Sequence, residues 1–128
     1  RYELVTLAAA MALKCRYCLL AHGAILISNG VSLDQLRQIL TDFKDAGLER
    51  NEVAMMEFAQ KIIRSANEIT RADVDALRAV DLEDVEILDI TLTATMRSFA
   101  SKTFDALGAE ADAVYSELEL QLSALLPE

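Results

Sequence analysis

The chain has 128 residues, a one-domain length that can close a single hydrophobic core unaided. Twelve Lys/Arg against twenty-one Asp/Glu leave a net charge of −9, so it lacks the cationic surface that nucleic acid or an anionic membrane would require. An apolar fraction of 53 % excludes disorder, and four Gly with one Pro leave too few turns for a barrel or sandwich of many short strands.

In chain order the pattern is helical nearly throughout. Residues 2–13 are apolar almost all round, as in a central buried helix. The near-apolar run Leu4–Leu13 is ten residues and then meets Lys14, well short of the about 20 that a membrane span needs. Arg1 opens almost directly into this helix, with no initiator Met, basic leader or A-x-A site. No export signal is read, and some native chain is expected to precede Arg1. A second helix is predicted over 15–29, ending at Asn29-Gly30. Ser32-Leu33-Asp34-Gln35 reads as a capping box for a third helix that runs to about Ala46 and stops at Gly47. A fourth runs from about Arg50 to Arg64, and Thr70-Arg71-Ala72-Asp73 starts a short fifth that ends near Val80. Val85, Leu88, Leu92, Met96 and Phe99 recur at spacings of 3, 4, 4 and 3, the period of a long helix that stops before Gly108. Within it, Ile90–Thr95 alternates as a strand could, but no partner strand exists, and helix is the reading. A last helix is predicted from about Glu110 to Leu125, before Pro127. The expectation is a single all-α domain, 1–128, of about six or seven helices.

The chain's only His and only two Cys fall within eight residues, as Cys15-x-x-Cys18-x-x-x-His22. On a continuous helix these three lie within a sector of roughly 60°. A thiol pair on consecutive turns can close a local disulfide if the first Cys sits near the helix start, where the N-terminal amides favour thiolate. An imidazole one turn on can take or supply the proton that this chemistry moves. The plain alternative is two buried cysteines that pack as small hydrophobes. Glu3 is out of place at the head of so apolar a helix, because a carboxylate there must be paired, protonated or solvated in the first turn. On one straight helix it would stand about 18 Å from Cys15. Glu3 can therefore serve the thiols only if the chain breaks near Leu13–Cys15 and the second helix turns back, a break that also places the CxxC near the N-terminus of a helix.

Glu3, eleven residues, Cys15, two, Cys18, three, His22 resembles the signature of the alkylhydroperoxidase D (AhpD)-like family, related to carboxymuconolactone decarboxylase. Leu4–Ala8 through Cys15-Arg16-Tyr17-Cys18-Leu19-Leu20-Ala21-His22 is similar to the core motif of its peroxidase-related branch. Ile69–Val74, Glu86–Asp89 and Ala106–Asp112 are similar to later parts of that branch. The resemblance implies a helical, homo-oligomeric protein, trimer or hexamer, with peroxidase or thiol–disulfide activity. Cys18 would be the peroxidatic thiol and Cys15 the more exposed resolving thiol. His22 and Glu3 would form a proton relay, with Tyr17 beside them in a supporting place. The substrate would be a peroxide. No metal, flavin or haem is implied: the redox group is the Cys15–Cys18 pair, and an external dithiol, such as a lipoylated protein, would reduce it. The chain departs from the family at three places. Tyr17 stands where some members have a second His. Leu13-Lys14 stand where many have Asn-Gly before the first Cys, and Ser101-Lys102 where the branch usually shows Asn-Arg.

Other readings of the same residues remain. Cys15, Cys18 and His22 could ligate zinc with Glu3 or water, although structural zinc normally draws on two segments. A thioredoxin-type CxxC follows a strand, which is missing here. Decarboxylation of the carboxymuconolactone type needs no paired thiols. A redox-sensing module without peroxidase turnover is the non-enzymatic alternative. Two cysteines do not make a secreted disulfide scaffold, and a cytoplasmic protein is expected. Met55, Met56 and Phe58 read as core, and Glu83, Asp84, Glu86 and Asp89 as a solvated helix start.

Overall fold

A computed structural model describes Arg1–Glu128 as seven α-helices with no strand. They are α1 (Tyr2–Leu13), α2 (Arg16–Ser28), α3 (Leu33–Asp42), α4 (Arg50–Ser65), α5 (Arg71–Arg78), α6 (Asp84–Ala106) and α7 (Ser116–Leu122). Short 3-10 turns at Phe43–Asp45, Ala66–Glu68 and Ala113–Tyr115 join them. The apolar helix α1 is the axis of the domain. Leu4 to Ala10 are all buried, and α4, α6 and α2 pack around it. Four small or β-branched residues on this helix, Val5, Ala8, Ala9 and Ala10, are sealed from solvent, which lets three neighbours approach at once.

The helix ends follow from local chemistry. Glu49 with Glu52, Thr70 with Asp73, and Glu83 with Glu86 form reciprocal capping boxes for α4, α5 and α6. At α3 only the Ser32 half of the expected box is made: its hydroxyl accepts the Gln35 N–H at 3.1 Å. That helix also ends earlier than expected, because Asp42 turns extended and its carboxylate caps a tighter turn over Phe43–Asp45. The last helix is shorter than its pattern predicts. Glu110–Asp112 stay irregular and α7 begins only at Ser116. Met55, Met56 and Phe58 are core, as expected. Ile90–Thr95 is helical, with Thr91 and Thr95 returning their hydroxyls to carbonyls of the preceding turn.

Two features of α6 depart from its sequence pattern. Its inward face is Ile87, Ile90, Ala94 and Ser101, with Arg97 half-buried between the last two. The apolar stripe Val85, Leu88, Leu92, Met96 and Phe99, which marks the helix in the sequence, lies on the outside and is 54–77 % exposed.

Candidate active site

The site is made by an elbow. α1 stops at Lys14, which takes the left-handed conformation (φ 54°, ψ 37°) that glycine usually supplies. The Cys15 N–H then reaches back to the Ala10 carbonyl at 3.1 Å, which closes the helix end. This is the break that Glu3 requires, and it forms without the Asn-Gly common in the family. Cys15 follows in extended conformation (φ −87°, ψ 100°) as the N-cap of α2. Its Sγ accepts the Cys18 N–H at 3.4 Å, in the place where Ser, Thr or Asp ordinarily caps. Cys15 therefore stands at the N-terminus of α2, as the break requires, with Cys18 and His22 inside the helix.

Both sulfurs are buried. Cys15 is 0 % and Cys18 1 % exposed, so the expectation that Cys15 is the more accessible thiol is overturned. The N-cap position tucks the Cys15 side chain back over the first turn of α2, beneath the elbow. Its S–H donates to Cys18 Sγ at 2.9 Å. A second polar group comes from across the bundle, where Ser101 on α6, itself fully buried, places its hydroxyl Oγ 3.1 Å from Cys18 Sγ. These contacts split the pair. Cys18 is lowered to about 6, first by the hydrogen bond from Cys15, against burial, and then by Ser101 and the positive charge of Arg97. Cys15 is raised, first because its proton is held in that bond and then by burial. The first proton to leave the pair comes off Cys18.

Because α2 doubles back along α1, Glu3 and His22 meet. His22 Nδ1 lies 2.7 Å from Glu3 Oε2, with the side chains 15 % and 31 % exposed. His22 Nε2 faces Arg97 Nη1 of α6 at 3.1 Å. Arginine can only donate, so Nε2 accepts and the imidazole proton sits on Nδ1, directed at Glu3. His22 makes no hydrogen bond to either sulfur: Arg97 occupies the ring nitrogen that a direct relay would use. With both ring nitrogens engaged by Glu3 and Arg97, the zinc set weighed above is not assembled.

Tyr17, between the cysteines, points outward. Its hydroxyl donates to Asp112 at 3.1 Å, and its ring packs on Phe104 at 5.2 Å and Tyr115 at 6.5 Å. Arg16 bonds Glu119 at 2.8 Å and the Pro127 carbonyl at 2.9 Å. The residues between the cysteines therefore tie α2 to the C-terminal segment.

The four expected catalytic residues thus form two groups between α1 and α2, Cys15 with Cys18 at the elbow and Glu3 with His22 farther along the two helices. Arg97 and Ser101, the α6 residues that complete these groups, were not identified as site residues from the sequence. The one signal was the unexpected Ser101-Lys102 pair in the family pattern.

Residues 1–61 match the carboxymuconolactone decarboxylase family. An uncharacterized peroxidase-related protein from Silicibacter sp. TM1040 has the same fold, with a TM-score of 0.84 and 26 % identity over 89 % of this chain and 60 % of that one. An alkylhydroperoxidase AhpD core, an uncharacterized peroxidase-related protein from Ralstonia eutropha JMP134, aligns with a TM-score of 0.83 and 24 % identity, over 99 % of this chain and 64 % of that one. The chain thus spans less than two thirds of the length of either. No curated protein matches it. Motif, elbow and bundle agree with these comparisons: the chain has the fold of the AhpD core, and its carboxymuconolactone decarboxylase family match lies in the first three helices and most of α4.

Proposed function

We propose that the chain is a thiol-dependent hydroperoxide reductase. The observation that carries this reading is that donors from two sides, the Cys15 S–H and the Ser101 O–H, converge on Cys18 Sγ, so that one sulfur is poised as thiolate and the other still carries its proton. The Cys18 thiolate attacks the terminal peroxide oxygen. The O–O bond breaks, Cys18 becomes a sulfenic acid, and the alkoxide takes a proton to leave as an alcohol. Cys15 then attacks Cys18 sulfur and displaces hydroxide, which leaves as water with the Cys15 proton, and the S–S bond forms. An external dithiol, of the lipoyl type, returns both thiols by exchange and is itself oxidised to a disulfide. Glu3 and His22 act at one remove in this scheme. They hold the Arg97 guanidinium, whose charge favours the Cys18 thiolate and the developing alkoxide. The outer stripe of α6 is the surface for self-association into the trimer or hexamer.

Burial of both sulfurs favours one alternative, a redox sensor or disulfide oxidoreductase that reacts only when a partner opens the site. One experiment separates the two. Intact mass and peptide mapping of reduced, metal-free protein are compared before and after one equivalent of an organic hydroperoxide, and after dihydrolipoamide. Loss of two hydrogens at Cys15–Cys18, reversed by the dithiol with multiple turnovers, supports the reductase. A disulfide that forms without turnover supports the sensor, and unreactive thiols would sink both.

A further inference from the structure

Ser101 stands out among the hydroxyl residues of α6. Thr91, Thr95 and Thr103 each donate to a carbonyl one turn back on their own helix. Ser101 is fully buried, and the contact its hydroxyl makes is to Cys18 Sγ, 83 residues away in sequence. A buried hydroxyl without a partner is costly, so this one has been placed at the sulfur.

We infer that Ser101 is the positioning residue that selects Cys18, rather than Cys15, as the attacking sulfur of the pair. A thiolate has no proton to give, so with Cys18 ionised the Ser101 O–H must be the donor. Each sulfur has a local donor from the elbow. Cys15 Sγ accepts the Cys18 N–H at 3.4 Å, and Cys18 Sγ accepts the Cys15 S–H at 2.9 Å. The S–H proton could shift between the sulfurs, and Ser101 breaks that symmetry because its Oγ lies 3.1 Å from Cys18 Sγ, whereas its pull on the Cys15 thiol ranks last among the influences on that group. The charged groups acting on Cys18 from α6 are Arg97, which favours the thiolate, and Asp105, which opposes it, so they partly offset one another. The inference deepens the thiol-redox reading and rests on it for its biological meaning, but the selection of one sulfur is a property of the reduced pair alone.

The test is alkylation of fully reduced protein with a limiting amount of iodoacetamide across a pH series, in wild type, Ser101→Ala and Ser101→Thr. Arg16 lies between the cysteines, so tryptic mapping assigns the labelled sulfur. Wild type is expected to label Cys18 with a midpoint near pH 6. Ser101→Ala is expected to move the midpoint up by roughly one unit and to divert a measurable share of label to Cys15. Ser101→Thr, which keeps the hydroxyl, should restore the Cys18 preference. Helical circular dichroism and the thermal midpoint establish that each variant is folded. A folded Ser101→Ala with unchanged midpoint and unchanged sulfur would overturn the inference. Iodoacetamide needs no peroxide turnover, so wild type that selects Cys18 through Ser101 yet reduces no hydroperoxide would refute the reductase and leave the selection standing.

Discussion

At the scale of single residues, the site works by distributing donors and charges around one sulfur. Because the Cys18 thiol sits near pH 6, well below an ordinary cysteine, the thiolate predominates at neutral pH and is lost as pH falls through that value. The rate of Cys18 with hydroperoxide is therefore expected to be flat above about pH 7 and to fall about tenfold per unit below 6; a stopped-flow pH series reads this directly. A midpoint at the ordinary thiol value would refute the arrangement. Cys18→Ser is expected to abolish peroxide consumption, whereas Cys15→Ser should stall after one equivalent with a sulfenic acid that dimedone traps. Retention of full turnover by Cys18→Ser would show that the two roles are reversed. His22→Ala frees Arg97 from its acceptor, and its expected effect is a raised Cys18 midpoint and a rate loss of about tenfold at pH 6, vanishing at high pH. A loss that persisted at high pH would point instead to direct proton transfer by His22. Cys15, Cys18 and His22 were legible from their spacing, and Glu3 from its place before an apolar helix together with the family resemblance. Arg97 and Ser101 were not, because they reach the site through the packing of α6, and no local pattern encodes which distant helix faces a cysteine.

At the scale of elements, the decisive feature is the elbow between α1 and α2. Sequence reasoning required a break near Leu13–Cys15 for Glu3 to matter, and the chain makes one with Lys14 in the left-handed region. A lysine there carries a strain of about 1–2 kcal/mol that glycine would not. Lys14→Gly is accordingly expected to hold or slightly raise stability, while a β-branched Lys14→Val should lower it by about 1 kcal/mol and displace Cys15. Urea unfolding together with the Cys18 alkylation rate tests both effects. If Val leaves both unchanged, the elbow does not set the thiol geometry. The same break places Cys15 at the N-terminus of α2, as the sequence reading expected. An N-cap residue is not helical, and the cap position is what turns Cys15 Sγ toward the first turn and buries it. The missing first turns of the predicted last helix have a similar cause, since Asp112 and Tyr115 are engaged by Tyr17.

At the scale of the whole molecule, no helix is long and apolar enough to cross a membrane. The exposed surface is 7313 Å², against about 6,700 Å² for an ordinary monomer of this mass. Five large apolar side chains on the outer face of α6 contribute to it. Such a contiguous stripe is characteristic of an interface between subunits. The protein is expected to sediment as an oligomer at micromolar concentration, and Leu92→Asp with Phe99→Asp to convert it to a folded monomer. A wild-type monomer would refute self-association. This stripe also shows where sequence reading stops. Periodicity, caps and composition determined that the chain is all-α and that α1 lies at its centre, spacing grouped Cys15, Cys18 and His22, and the family resemblance added Glu3. Those properties are local, or follow from the cost of exposing an apolar helix or burying an unpaired carboxylate. Which of the two faces of α6 turns inward was decided only by tertiary packing. The long-sided stripe suits a protein surface as well as a core, whereas the narrower Ile87, Ile90, Ala94 face fits against the small residues of α1 and brings Arg97 and Ser101 to the thiols.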